Sequence, residues 1–145
     1  LGKVMKTCGI ELKGSEAIIC LMTLDNGLYT LNDCRVKKLA IADATSQEQI
    51  QKFQFDFAKL MADYQISNVV VKERLTRGKF AGGAVSFKLE ATIQLIDALD
   101  VTLLSSSKIK EIIKHSHTTL NFKETGLKQF QEQAFMTAFA YLESQ

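Results

Sequence analysis

Apolar side chains first recur at every second position. In TCGIEL (residues 7–12), Cys8, Ile10 and Leu12 share one face of an extended chain, while Thr7, Gly9 and Glu11 share the other. EAIICLMTL (16–24) is a nearly continuous apolar run of strand length. Lys13-Gly14-Ser15 separates the two, and Asp25-Asn26-Gly27 leads into LYTLNDCRVKKLAI (28–41). The pattern predicts a three-stranded antiparallel meander, with Asn-Gly its strongest local signal.

The period then becomes helical. Beyond Asp43-Ala44-Thr45-Ser46, where Thr45 with Glu48 or Ser46 with Gln49 can form a capping box, Ile50, Phe53, Phe57, Leu60, Met61 and Tyr64 make one stripe that should end near Gln65. Residues 68–75 alternate as a strand, and a loop carrying Arg77-Gly78-Lys79 precedes a helix expected over 80–99. Its apolar positions, among them Val85, Phe87, Leu89, Ile93, Leu95, Ile96 and Leu99, cover more than one side, which predicts deep packing. VTLLSS (101–106) reads as a short buried strand, SKIKEIIKHS (107–116) as a helix, and 124–142 as a last helix. Strands and helices that alternate in this way after a meander require parallel crossovers, so the fold class is a mixed α/β sheet of five strands. The chain has no internal repeat, no linker and no proline to mark a domain boundary.

Composition narrows the classes. At 145 residues, 46% hydrophobic and 23% charged, the chain suits one globular domain, taken as residues 5–145 with Met5 as the expected start and 1–4 outside the fold. No apolar run has the length of a membrane span and LGKVMKTC lacks a signal-peptide core, so a cytoplasmic protein with no membrane partner is expected. Cys8, Cys20 and Cys34 lack a paired spacing and are expected to be buried free thiols. A net charge of +2, from 18 basic and 16 acidic residues, is too balanced to mark a nucleic-acid binder by itself, so any basic surface must be local. No phosphate-binding loop, GxGxxG, GxSxG, HExxH or paired-cysteine motif occurs, which removes the commonest nucleotide, hydrolase and zinc readings.

Three acids stand where apolar or uncharged residues are expected. Glu73 follows Val69 and Val71 on one strand face, Glu11 projects from the middle of the first strand, and Glu132 shares a helical stripe with Phe135, Phe139 and Leu142. If the first and fourth strands are parallel neighbours, Glu11 and Glu73 can meet near the carboxyl ends of the strands, where open α/β sheets hold their sites. Converging carboxylates repel one another unless a divalent cation lies among them, and hard oxygen ligands suit Mg²⁺ or Mn²⁺. The alternative is structural: Glu73 pairs with a basic neighbour, Glu11 with a lysine at a hairpin edge, and Glu132 is a helix-surface acid.

Cations gather around Glu73: Lys72, Arg74, Arg77 and Lys79, with Lys88 further on. Gly82-Gly83 opens the next helix, either to let backbone approach a phosphate or to let the helix pack closely on the sheet. Ser105-Ser106-Ser107-Lys108-Ile109-Lys110 either binds phosphate or caps a helix. His115 and His117 have no third ligand nearby and read as surface residues.

The stretches CGIELKG, VVVKERL, FAGGAVSFKLEATIQLIDAL and VTLLSSSKIKEIIK resemble the ribonuclease H-like fold, specifically its Holliday-junction resolvase branch. The whole chain is also similar to a small bacterial family of unknown function that carries CGIELKG and KFAGGAVSFK. The first resemblance implies helices on both faces of the sheet and a divalent-metal-dependent nuclease acting on structured or branched nucleic acid. In that scheme Glu11 bridges two Mg²⁺ or Mn²⁺ ions, Glu73 holds one and Glu132 completes the other. Lys72, Arg74, Arg77, Lys79, Lys108 and Lys110 contact phosphates, and a homodimer matches a two-fold substrate. The resolvase pattern has aspartate where this chain has Glu11, and two aspartates one turn apart in the last helix. Glu132 matches one of these, Gln129 and Phe135 stand one turn to either side, and Glu124 is an alternative from the helix start. The second expectation the resemblance allows is a non-catalytic module that binds a protein or nucleic-acid partner, its acids neutralised by basic side chains.

Overall fold

A computed structural model describes residues 3–78 and 82–145. Strands β1 (Val4–Lys13) and β2 (Glu16–Asp25) pair antiparallel along their whole length, so β1 begins one residue before the expected start of the fold. Asn26 and Gly27, both at positive φ, make the two-residue turn into β3 (Leu28–Asn32). The expected third strand is broken. β3 pairs with Leu21–Asp25 of β2, and β4 (Lys38–Ala40) pairs with Glu16–Ile18 further along the same edge, so the sheet has six strands and not five. Between them the chain leaves the sheet toward the end of the first helix. There the Arg35 amide donates to the Tyr64 hydroxyl at 2.8 Å, and its guanidinium reaches Asp63 at 2.6 Å.

Helix α1 (Gln47–Asp63) starts from Ser46, whose hydroxyl accepts the Gln49 amide at 3.3 Å. β5 (Asn68–Lys72) then lies parallel to β1, and β6 (Asp100–Leu104) parallel to β5, which gives the order β3-β2-β1-β5-β6. The crossover helix α2 (Ala84–Gln94) is shorter than expected, and the predicted start at Phe80 lies outside the described residues. The chain leaves the helix after Gln94 through tight turns at Ile96 and Leu99, which deliver the Asp100 amide to the Ser67 carbonyl at 2.8 Å and so begin β6; Leu95 is left 73% exposed.

α3 (Ser106–Lys114) follows β6 directly. The last helix is also shorter than expected: 3₁₀ turns at Phe122–Glu124 and Gln129–Gln131 precede α4 (Glu132–Glu143). Buried Gln131 sets this entry, accepting the Lys128 amide at 3.0 Å and donating to the Ile19 carbonyl of β2 at 2.9 Å. Among the described residues no helix is long and apolar enough to cross a membrane.

Two cores flank the sheet. Cys8, Ile10, Leu12, Val69 and Val71 face α1 and α2 through Phe53, Phe57, Leu89 and Ile93. Ile18, Cys20 and Met22 face α4 through Ala134, Phe135, Ala138 and Phe139, with α3 packed beside α4. Gly9 is what lets α4 approach β1: a Cβ there would lie 2.2 Å from the Ala134 carbonyl oxygen and 2.8 Å from the Ala138 Cβ. Helices therefore cover both faces, as expected.

Candidate functional site

The register of β1 against β5 decides which side chains meet. Cys8 is level with Val69, Gly9 with Val70 and Ile10 with Val71. Side chains level with one another in parallel strands leave the sheet on the same face, so the next step places Glu11 beside Lys72 on the α4 face. Glu73 is one residue out of phase and turns to the α2 face. The expected meeting of Glu11 and Glu73 does not occur. β5 also stops at Lys72, and although the Glu73 amide still donates to the Leu104 carbonyl at 2.9 Å, its side chain is exposed. The acid that looked misplaced on an apolar strand face lies just past that strand's end.

Glu132 is elsewhere again. On α4 it accepts the Gln129 side-chain amide at 3.0 Å and lines, with Phe135, Met136, Phe139 and Ile113, a groove of about 380 Å³ against residues 118–123. That side of the helix is not the one carrying Ala134 and Ala138 onto Gly9. Glu124 lies in the 3₁₀ turn before it and is exposed. Among the described residues, no three His, Cys, Asp or Glu side chains come together as a metal site would require.

What surrounds half-buried Glu11 is basic and polar. The Lys72 ammonium donates to the Gln133 side-chain oxygen at 2.8 Å, which ties the end of β5 to α4. Burial pulls the Lys72 pKa down, the Glu11 charge opposes that, and the nearby charges of Arg74 and Lys110 add to the lowering. Glu11, Arg74 and Lys110 are therefore each within electrostatic reach of Lys72. Gln133 had no signal in the sequence, because an amide between Glu132 and Ala134 reads as ordinary helix surface.

On the other face, Glu73 approaches Glu90 of α2. Burial raises the Glu90 carboxyl above its ordinary value, the Arg74 amide pulls it back, Glu73 raises it further, and the Arg74 guanidinium lowers it. One Glu90 oxygen and the Arg74 Nε are buried with no hydrogen-bond partner. Arg74 fills the space over Gly82, where a Cβ would come within 2.7 Å of its Nε. Gly82 thus serves close packing by a guanidinium, and Gly83 caps α2 through its backbone alone. Glu90 also escaped sequence reasoning, hidden in a helix with no clean apolar stripe.

Of the remaining cations, Arg77, Lys108 and Lys110 are exposed, and Lys79 lies outside the described residues. Lys108 stands 3.7 Å from Glu111. Lys88 is turned away, donating to the Ala44 carbonyl at 2.9 Å. The Ser105 hydroxyl caps α3 by accepting the Lys108 amide at 3.1 Å. His115 and His117 are exposed, as expected. Cys8, Cys20 and Cys34 are buried free thiols, and burial pushes Cys20 up to about 12, so none is disposed to act as a nucleophile.

The fold is of the ribonuclease H-like, Holliday-junction-resolvase type. Thermus thermophilus RuvC superposes with a TM-score of 0.73 at 11% identity, over 96% of this chain and 94% of the other. The same protein in complex with Holliday junction substrate gives 0.66 at 12%, over 96% and 93%. The yeast mitochondrial Holliday junction resolvase Ydc2 gives 0.55 at 9%, over 96% and 76%. No curated protein matches in sequence. The chain belongs to the family described as a protein of unknown function (DUF3010), whose model matches residues 5–141.

Proposed function

We propose that this protein binds structured or branched nucleic acid through the phosphate backbone, at the carboxyl ends of β1, β5 and β6, without cleaving it. The observation that carries the reading is Lys72, held on Gln133 at the end of β5 at 2.8 Å, with the charges of Lys110 and Arg74 within electrostatic reach of it. Cations held this close repel one another, and a polyanion is the ligand that relieves the repulsion. Lys72 and Lys110 supply point charges, and exposed Arg77 and Lys108 extend the basic margin. Two further facts support it: the position matches where open α/β sheets hold ligands, and a protein of similar fold has been seen with a Holliday junction. A hydrolase built on Glu11, Glu73 and Glu132 needs those carboxylates to converge, and among the described residues no three acidic, histidine or cysteine side chains gather as a metal site.

The test is fluorescence-anisotropy binding of a labelled four-way DNA junction, a duplex and an RNA–DNA hybrid over a range of salt. The affinity should fall steeply with salt, and for the duplex Lys72→Gln or Lys110→Gln should each reduce the slope of log K against log[salt] by about 0.9. Binding that is independent of salt, or unchanged in both variants, would refute the assignment. Cleavage of the junction in Mn²⁺, lost on Glu11→Gln, would replace it with the nuclease reading.

A further inference from the structure

The ribonuclease H-like resemblance leads one to expect divalent cations at the head of the sheet, and the donor set there does not suit them. A hard dication wants several oxygen ligands, of which one or two at least are carboxylates. Among the described residues no three carboxylates gather here; one step past the Ile10–Val71 pair the register sets Lys72 beside Glu11, and Lys72 is tied to the Gln133 amide of α4. An ammonium within electrostatic reach of Glu11 offers a dication repulsion in place of coordination. On the opposite face the Arg74 charge reaches Glu90 together with that of Glu73, which presents a similar obstacle.

We propose that this chain has exchanged metal for lysine: the Lys72 ammonium, anchored on Gln133 and facing Glu11, is itself the positive charge that meets a phosphate, so the site binds its ligand with no metal ion. Lys72 has three N–H donors, and Gln133 takes one of them. Glu11 keeps the ammonium charged in a half-buried setting, and Gln133 fixes its direction by tying it to a rigid helix. Exposed Lys110 supplies the neighbouring charge that a phosphodiester, with two unesterified oxygens, can share. Glu11 then acts as a positioning residue for Lys72, and its retention needs no metal to explain it. The phosphate half of this proposal rests on the nucleic-acid reading above; the metal half does not.

Two measurements decide it. In the first, Mn²⁺ alone is titrated into the whole protein and followed by water-proton relaxation. The wild type should show no saturable site up to millimolar Mn²⁺. The double variant Lys72→Glu with Gln133→Asp places three carboxylates on one face and should gain a site at least tenfold tighter. A saturable wild-type site that Glu11→Gln abolishes would overturn the proposal, as would a folded double variant that gains nothing. If the double variant fails to fold, by circular dichroism, the wild-type titration still decides.

In the second, the labelled junction is titrated in excess EDTA and then in Mg²⁺. Binding should agree within twofold, fall about tenfold in Lys72→Gln and be largely restored in Lys72→Arg. Binding that requires Mg²⁺ would refute the exchange. A chain that binds no Mn²⁺ and no nucleic acid would confirm the loss of metal and refute the ligand, so the two failures are distinguishable.

Discussion

At the scale of single residues, a change of phase by one position has large effects. Lys72 and Glu73 are adjacent in sequence, yet one faces α4 beside Glu11 and the other faces α2 beside Glu90. Glu90 gives this arrangement a measurable pH signature. Its carboxyl is raised in the folded protein, chiefly by burial, so the stability it contributes is full below the ordinary carboxylate range. That contribution is lost as pH rises through the folded value. Glu90→Gln should therefore stabilise the fold at neutral pH, with the gain shrinking to nothing as pH falls below the ordinary glutamate range. Urea unfolding of both proteins at pH 4 and pH 7 checks the sign, and a gain of the same size at both values would show that ionisation is not the cause.

At the scale of elements, the contact of β1 with α4 is the most exacting. Gly9→Ala inserts a methyl group against helix backbone, which cannot rotate away as a side chain would. The substitution should cost about 3 kcal/mol or more, near the upper end for overpacking, seen as a drop in the urea midpoint; an unchanged midpoint would mean that α4 sits further from β1 than described. Most elements could be read from the sequence, because alternation in residues 7–24, the Asn26–Gly27 turn and the stripe from Phe53 to Tyr64 are local signals. What escaped was long-range. The break at 33–37 comes from Arg35 being drawn to Tyr64 and Asp63, and the late start of α4 from Gln131 bonding to Ile19. The site was legible as a place and less so as a set of partners. The basic stretch and Glu11 were visible, but which residue of β5 lies level with Glu11 depends on a register set across two separate segments of chain. Reading 68–75 as one alternating strand kept Glu73 in the sheet, where five residues of strand leave it outside.

At the scale of the whole molecule, charge is nearly balanced, and its placement matters more than its sum. Some exposed acids and bases pair, as in Lys52 with Asp56 and Lys59 with Asp63. Pairs so exposed add little to stability. Binding at the carboxyl ends of the parallel strands should therefore be local and salt-sensitive in spite of the modest net charge.

The docking of α4 also fixes an order of events during synthesis. Gln131 and Ile19 are 112 residues apart in sequence, and α4 is made after all the strands and after α1, α2 and α3. Until it emerges from the ribosome, Ile18, Cys20 and Met22 have no cover, because their partners are Ala134, Phe135, Ala138 and Phe139. The nascent sheet must wait with one apolar face bare, a state prone to self-association and to capture by chaperones. A chain stopped after Gln131 should keep strand structure yet bind a hydrophobic dye and aggregate, and adding the missing residues as a separate peptide should reverse both. Completion of this fold therefore waits for α4, which also brings Gln133 to Lys72.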